Sequence, residues 1–347
     1  MAAIALNARF YSHVPTGMQR YGIEMAKRMP DLLEVLRPSS PLKGAAGHLW
    51  EQLYLPTVSG KRLLWSPNNT GPLAVSRQVC TIHDIIPVEH PEWFNSRFAA
   101  WYKYLLPRLT KRVRHLIAVS QFTKERLIEC FGVSAGKITV ISNGVDSQFH
   151  RRTQAEIEAV RSALGIKSPR YLLSLGSLEP RKNIHRLLSA WALAKRELPE
   201  DLGLVVVGSK GASLVFEDAG IIGAPEGVHF TGYAKQEHLP ALYSGALGSI
   251  YPSLYEGFGL PVLEAMSCGT PVITSNTTSL PEIAGGAALL VDPLDVDAIA
   301  GAMLRLVRHE NLRESLRERS LARAANLTWD ASAAKTRQVL VEEHANA

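Results

Sequence analysis

The chain has 347 residues, 46% of them hydrophobic and 20% charged, and a formal net charge of +6 at pH 7. That length exceeds one comfortable core and predicts two domains, while no stretch reaches the roughly 20 consecutive apolar residues of a membrane-spanning helix. The charge is uneven: residues 1–165 hold 21 Lys and Arg against 12 Asp and Glu and residues 166–347 hold 17 against 20, so the first half is expected to meet an anionic partner.

The apolar start, residues 1–6, breaks at Asn7 and Arg9 with no basic region before it and no small-residue cleavage site after it. It is expected as a first strand of a cytoplasmic protein, not as an export signal. Further short apolar runs at 63–65, 79–83, 116–119 and 138–141 read as strands, separated by longer amphipathic stretches that read as crossover helices. Ser120 is placed to cap one of these helices, with Thr123 behind it in S-x-x-T. Residues 93–115 mix six aromatics with six Lys or Arg and no acid, as a membrane-interface helix would, or as a core helix with solvated cations would; Pro107 interrupts its pattern.

Around 146–165 the rhythm lapses into a polar stretch with Arg151 and Arg152, and the domain boundary is expected near 165. Strands are then expected at 171–175, 204–207, 228–230, 249–251, 272–274 and 289–291. Pro261 sits where a helix begins, and Asp295 precedes the apolar helical face Ile299, Met303, Leu306 and Val307. Asp295 and Asp297 form the chain's one D-x-D, and a helix cap explains it better than a metal site. A last helix, about 330–347, is expected to pack back on the first domain. Cys80, Cys130 and Cys268 are odd in number and far apart, and are expected as small core residues. The fold class is therefore α/β, two doubly wound parallel sheets, one in residues 1–165 and one in 166–347. No nucleic-acid-binding motif or basic stripe interleaved with stacking aromatics appears.

In such sheets ligands sit beyond the carboxyl ends of the strands, which directs attention to three loops. The run from Pro252 to Val272, PSLYEGFGLPVLEAMSCGTPV, follows a strand and opens a helix. Gly257 and Gly259 around Phe258 allow a ligand near the main chain, and the N–H groups of a helix start attract phosphate or hydroxyl oxygens. Glu256, and Glu264 about one turn inside the helix, offer carboxylates to paired sugar hydroxyls. The run LLSLGSLEPRKN, residues 172–183, presents Arg181 and Lys182 at a helix entrance, a fork and a point charge suited to a pyrophosphate. In the first half His83 ends a strand in Thr81-Ile82-His83-Asp84, with Asp84 beside it to hold the loop.

The Glu256 segment resembles the E-x7-E segment of the GT4 family of retaining glycosyltransferases, matching at Glu256, Gly257, Phe258, Gly259, Pro261, Glu264, Ala265, Gly269, Pro271 and Val272. The second run is similar to the family's G-x-x-x-x-R-K-N, with Gly176, Arg181, Lys182 and Asn183 in place. VVVGSKG at 205–211, with Gly208, and FTGY at 230–233, with Tyr233, resemble loops around the nucleotide base. The stretch Pro15-Thr16-Gly17-Met18 has one glycine where family members often have two, and Gly17 is its donor-site candidate.

The resemblance implies the GT-B fold, with an N-terminal acceptor domain facing a C-terminal nucleotide-sugar domain across a cleft. It implies transfer with retention on one face of the sugar, the leaving phosphate helping to take the acceptor proton. Arg181 and Lys182 would stabilise the diphosphate, Glu256 and the backbone of 257–260, ending at Leu260, would hold sugar hydroxyls, Glu264 the ribose, and His83 the sugar. No metal or other cofactor is expected. Residues 83–94 are similar to segments of bacterial mannosyltransferases, so GDP-mannose is the expected donor and a UDP-hexose the alternative. The expected acceptor is lipid-linked or glycan, in cell-surface polysaccharide synthesis such as that of lipopolysaccharide, with peripheral contact at the inner membrane face. A non-catalytic nucleotide-sugar-binding subunit is the rival from another class.

Overall fold

Short runs rich in Val, Ile and Leu, most of them buried on both faces, form two all-parallel sheets, the pattern of strands covered by crossover helices on each side. The computed structural model describes residues 4–12, 16–42, 44–176, 179–208 and 225–346. The chain divides into one unit of Met1–Gly144 with Leu327–Ala347 and a second of Val145–Asn326.

The first unit has β1 (Ile4–Asn7), β2 (Leu33–Leu36), β3 (Leu64–Ser66), β4 (Gln78–Ile82), β5 (His115–Ala118) and β6 (Ile138–Val140) in the order β2-β1-β3-β4-β5-β6. The expected strands in this half lie within about a residue of these. β2 was not expected: its LEVL is half exposed and interrupted by Glu34, because it is the edge of the sheet, where one side meets solvent. Ser120 caps the helix Gln121–Phe131, its hydroxyl accepting from Thr123 N at 3.0 Å.

Residues 93–115 form a short turn and then one helix, Ser96–Arg112, which continues through Pro107 rather than breaking there. Tyr102, Leu105, Leu106 and Leu109 pack it into the core with Ile82, Leu116 and Leu127. Its other face presents Phe98, Tyr104, Arg108 and Lys111 to solvent, so the composition that read two ways reflects two faces. Among the described residues no helix is long and apolar enough to cross a membrane.

The helix Trp329–Ala345 belongs to this same unit. Trp329 is fully buried, its ring 6.1 Å from Tyr21, and Ser332 Oγ donates to Ser142 O at 2.6 Å. Gly144 lies directly under this helix start: a Cβ there would come within 2.0 Å of the Trp329 backbone nitrogen.

The second unit has β7 (Arg170–Leu175), β8 (Leu202–Val207), β9 (Val228–Gly232), β10 (Gly248–Tyr251), β11 (Val272–Ser275) and β12 (Ala288–Val291) in the order β12-β11-β10-β7-β8-β9, the doubly wound order of dinucleotide-binding sheets. Its core joins Leu172, Leu187, Trp191, Leu204, Ile250 and Met303. Asp295 caps the helix Val296–Arg308, accepting from Ala298 N at 2.9 Å. The division between units falls at 144/145, about twenty residues before the expected 165. The cause is the helix Gln154–Ala163, closed by a Thr153/Glu156 capping box, whose Ile157 lies against Gly245 near the Tyr171 hydroxyl in the second unit. Cys80 and Cys268 are buried, but Cys130 is exposed, because it falls on the solvent face of its helix, where Arg126 Nη2 lies 3.0 Å from its sulfur.

Candidate functional site

In the second sheet the strand order reverses between β7 and β10, the place where open parallel sheets bind ligands beyond their strand ends. β7 leads through Gly176 to a 3-10 turn, Pro180–Lys182, and β10 leads through Pro252 and Ser253 to Glu256. The two loops are stitched together: Leu254 N and Ser253 Oγ donate to Arg181 O at 2.7 and 2.9 Å. Asn183 ends the turn in a left-handed conformation, φ 59°, which asparagine tolerates. Its amide donates to Pro252 O (3.0 Å) and Pro293 O (2.6 Å) and its Oδ1 accepts from Arg186, so this expected donor-site residue is a buried loop clamp.

Arg181, Lys182 and Glu256 meet as expected. Glu256 Oε1 accepts from Lys182 Nζ (2.5 Å), Ser253 Oγ (2.7 Å), Tyr251 OH (2.8 Å) and Arg181 Nη1 (2.9 Å), and Lys182 also donates to the Tyr251 hydroxyl. Burial acts to raise the Glu256 pKa, but Arg181 and then Lys182 outweigh it and hold it at about 2. The same burial pulls Lys182 below the ordinary lysine range, opposed by Glu256. Arg181 Nε also pairs with Glu179 Oε2 at 2.8 Å, so two cations stand with two carboxylates at the strand end, and the two cations are the groups suited to stabilising negative charge that develops on a leaving diphosphate. Among the described residues the four donors all use Oε1, so Oε2 is the oxygen open to a ligand hydroxyl.

Glu264 is buried on the helix Leu260–Ser267, its Oε2 3.3 Å from the Tyr243 hydroxyl. Tyr251 joins the two carboxylates electrostatically: burial first, then Glu256 and, at longer range, Glu264 push its pKa well up. Tyr251, Ser253 and Tyr243 were not anticipated. Tyr251 and Ser253 stand five and three residues before Glu256, a spacing that a search for partners of a buried carboxylate would have reached, whereas Tyr243 arrives from a separate helix, Leu239–Gly245.

Gly259 adopts φ +102° as the helix N-cap, with no side chain capping the first turn, and a Cβ there would lie 2.6 Å from Leu280 Cδ2. Phe258 is 5% exposed and its carbonyl accepts from Ser279 Oγ. Gly257 and Leu260 border it at the loop and at the first helical position. Gly176 lies under the Lys182 stem, 3.5 Å from where its Cβ would be. Gly208 follows β8 and donates to Gly232 O, and Tyr233 is 75% exposed; the rest of the 205–211 loop, from Ser209, lies outside the described residues, as do Ser177 and Leu178 of the cation loop.

In the first unit, described by itself, His83 follows β4 and is 5% exposed. Its N–H is held by Asn69 Oδ1 (2.6 Å), its carbonyl by Thr123 Oγ1 (3.2 Å), and its ring by Tyr21 edge-on at 4.8 Å. Nε2 lies 2.8 Å from Pro67 O. A carbonyl only accepts, so Nε2 carries the proton and Nδ1 the lone pair. Burial lowers the His83 pKa to about 4 against the opposing Pro67 bond, leaving the ring neutral at pH 7. Asp84 shapes the same loop, its Oδ1 accepting from Ile86 N at 3.1 Å. Gly17 is the first residue of the helix Gly17–Arg28, after the Thr16 cap; Pro15 lies outside the described residues.

Residues 156–323 match the family described as Glycosyl transferases group 1, and residues 56–149 match Glycosyltransferase Family 4. The O-antigen chain mannosyltransferase B of Escherichia coli is 36% identical over 76% of this chain and 70% of its own length. The serotype-specific mannosyltransferase WbdA of E. coli is 31% identical over 73% of this chain but 32% of its own length. Among solved structures, Anabaena Alr3699/HepE in complex with UDP and glucose superposes with a TM-score of 0.76 at 19% identity, covering 98% of this chain and 99% of that one. WaaG, a glycosyltransferase involved in lipopolysaccharide biosynthesis, gives 0.73 at 18% identity over 94% and 97%. With two doubly wound sheets, the cation pair and the E-x7-E carboxylates in place, the chain belongs to the GT4 glycosyltransferases of GT-B fold and is a hexosyltransferase.

Proposed function

We propose that the chain transfers mannose from GDP-mannose, with retention of configuration, to a glycan or lipid-linked acceptor in cell-surface polysaccharide synthesis. The observation that carries the site assignment is the buried meeting of Arg181, Lys182 and Glu256 at the strand-order reversal of the second sheet. The cations take the diphosphate, Glu256 Oε2 takes a sugar hydroxyl, Glu264 takes the ribose, and the neutral His83 imidazole serves the donor sugar. Cations and a helix start do the work that a metal does elsewhere, so the reaction proceeds without one. The mannosyl assignment is supported by the names of the relatives from E. coli and of O-antigen chain mannosyltransferase RfbU from Salmonella typhimurium.

A UDP-hexose is the second reading, favoured by the HepE structures in complex with UDP and with UDP-glucose. The exposed aromatic and cationic face of Ser96–Arg112 supports peripheral attachment to an acidic lipid surface in the cytoplasm. Screening GDP- and UDP-sugars for release of nucleoside diphosphate tests the proposal. Turnover of GDP-mannose is expected; turnover of a UDP-hexose with every GDP-sugar inert would replace the donor.

A further inference from the structure

The first sheet has its own reversal, between β1 and β3, and a second pocket opens there. It has a volume of about 290 Å³ and draws its walls from the last residue of β1 and the turn after it (Asn7, Arg9), the residues after β3 (Asn68, Thr70) and the helices that carry Glu51 and Phe98. That volume is close to the lower limit of small-molecule sites, roughly 300 Å³, which suits a single sugar ring better than a nucleotide.

Glu51 is 0% exposed, and its two oxygens are used unequally. Oε1 accepts from Asn7 Nδ2 (2.7 Å) and Thr70 Oγ1 (2.9 Å) and lies 3.5 Å from Arg9 Nε. Oε2 is buried with no hydrogen-bond donor, and so is Asn68 Oδ1. His48 Nδ1 accepts the Trp101 indole N–H at 3.2 Å and lies 3.7 Å from Oε2, beyond hydrogen-bond distance. Burial acts to raise the Glu51 pKa, yet Arg9 leads the groups that hold it below the usual range, so the carboxylate is an acceptor only. Buried acceptors without donors are costly and rare, and a ligand that brings hydroxyl protons resolves both.

The charge inventory decides between ligand classes. Arg9 is the one cation with a fixed charge on the wall among the described residues, and it is engaged by Glu51 and by Thr70 Oγ1 (3.0 Å). Among the described residues a phosphate would meet no uncommitted cation and would face the Glu51 charge. Phe10, Phe98 and Tyr102 supply an apolar border against which the C–H face of a pyranose can lie.

We propose that this pocket binds a neutral hexose ring, the terminal sugar of the acceptor, with Glu51 and Asn68 accepting from its hydroxyls. This rests on the transferase reading and narrows it: the acceptor is recognised by its sugar, not by a lipid phosphate. The test is ligand-observed saturation-transfer NMR of the full chain with methyl α-mannoside, with inorganic phosphate as competitor. A saturable signal is expected, weakened about tenfold or more in Glu51→Gln, as befits a charged acceptor made neutral, and weakened also in Phe98→Ala, whose exposed ring can be removed without disturbing the core. Saccharide binding indifferent to both substitutions, or displaced by phosphate, overturns the assignment. Wild-type protein that releases nucleoside diphosphate from a nucleotide sugar yet gives no saccharide signal overturns the pocket alone; loss of both overturns the pocket together with the transferase reading.

Discussion

Glu256→Gln offers the most direct test of how the site is held. The carboxyl's displacement from 4.5 to about 2 corresponds to roughly 3 kcal/mol favouring the folded, ionised form. An independent route gives a similar size, because removing one partner of a buried ion pair typically costs about 3–5 kcal/mol, and here the glutamine amide oxygen can still accept from Arg181 and Lys182 but carries no charge to pair with theirs. The folded pKa is depressed, so this stabilisation is complete above the unfolded value of 4.5 and is lost as pH falls toward 2. Roughly two-fifths of it should be gone by about pH 3.5. Urea denaturation followed by circular dichroism, for wild type and Glu256→Gln, is the assay. The variant is expected to be less stable by about 3 kcal/mol at pH 7, with the gap narrowing by about two-fifths near pH 3.5. Superimposable curves at pH 7, or a gap that does not change with pH, would refute the idea that the two cations hold Glu256 ionised.

Arg181→Ala and Lys182→Ala should each lower turnover by about 10²- to 10³-fold, the usual loss for one preorganised charge donor; kcat values near wild type would remove these residues from the reaction. His83 is neutral above about pH 4, so turnover should show no step near pH 6.5 that His83→Gln abolishes, and its depressed pKa withdraws stability only as pH falls from 6.5 through 4, measurable by NMR titration of the ring. Gly144→Ala should free the helix Trp329–Ala345 from the first unit, because the added Cβ meets backbone at 2.0 Å rather than a side chain that can swing away; faster amide exchange across residues 329–345 would report it, and unchanged protection would count against the packing.

The alternation of apolar runs and amphipathic stretches determined the two parallel sheets, because a strand buried on both faces has to be apolar along its whole length. It could not reveal β2, an edge strand whose exposed positions look like loop. Motif spacing singled out Arg181, Lys182, Glu256 and Glu264, since local geometry alone puts each at a strand end or helix start. Tyr243 and the Glu51 pocket were hidden, because Asn7, Glu51, Asn68 and Thr70 become neighbours only when β1 and β3 pair and a separate helix covers them. Asn183 and Phe258 show the converse: a motif marks them, but only three-dimensional packing decides that their side chains face inward. The unit boundary was likewise a tertiary matter, set by where Ile157 and Trp329 find apolar partners rather than by the polar stretch that precedes residue 165.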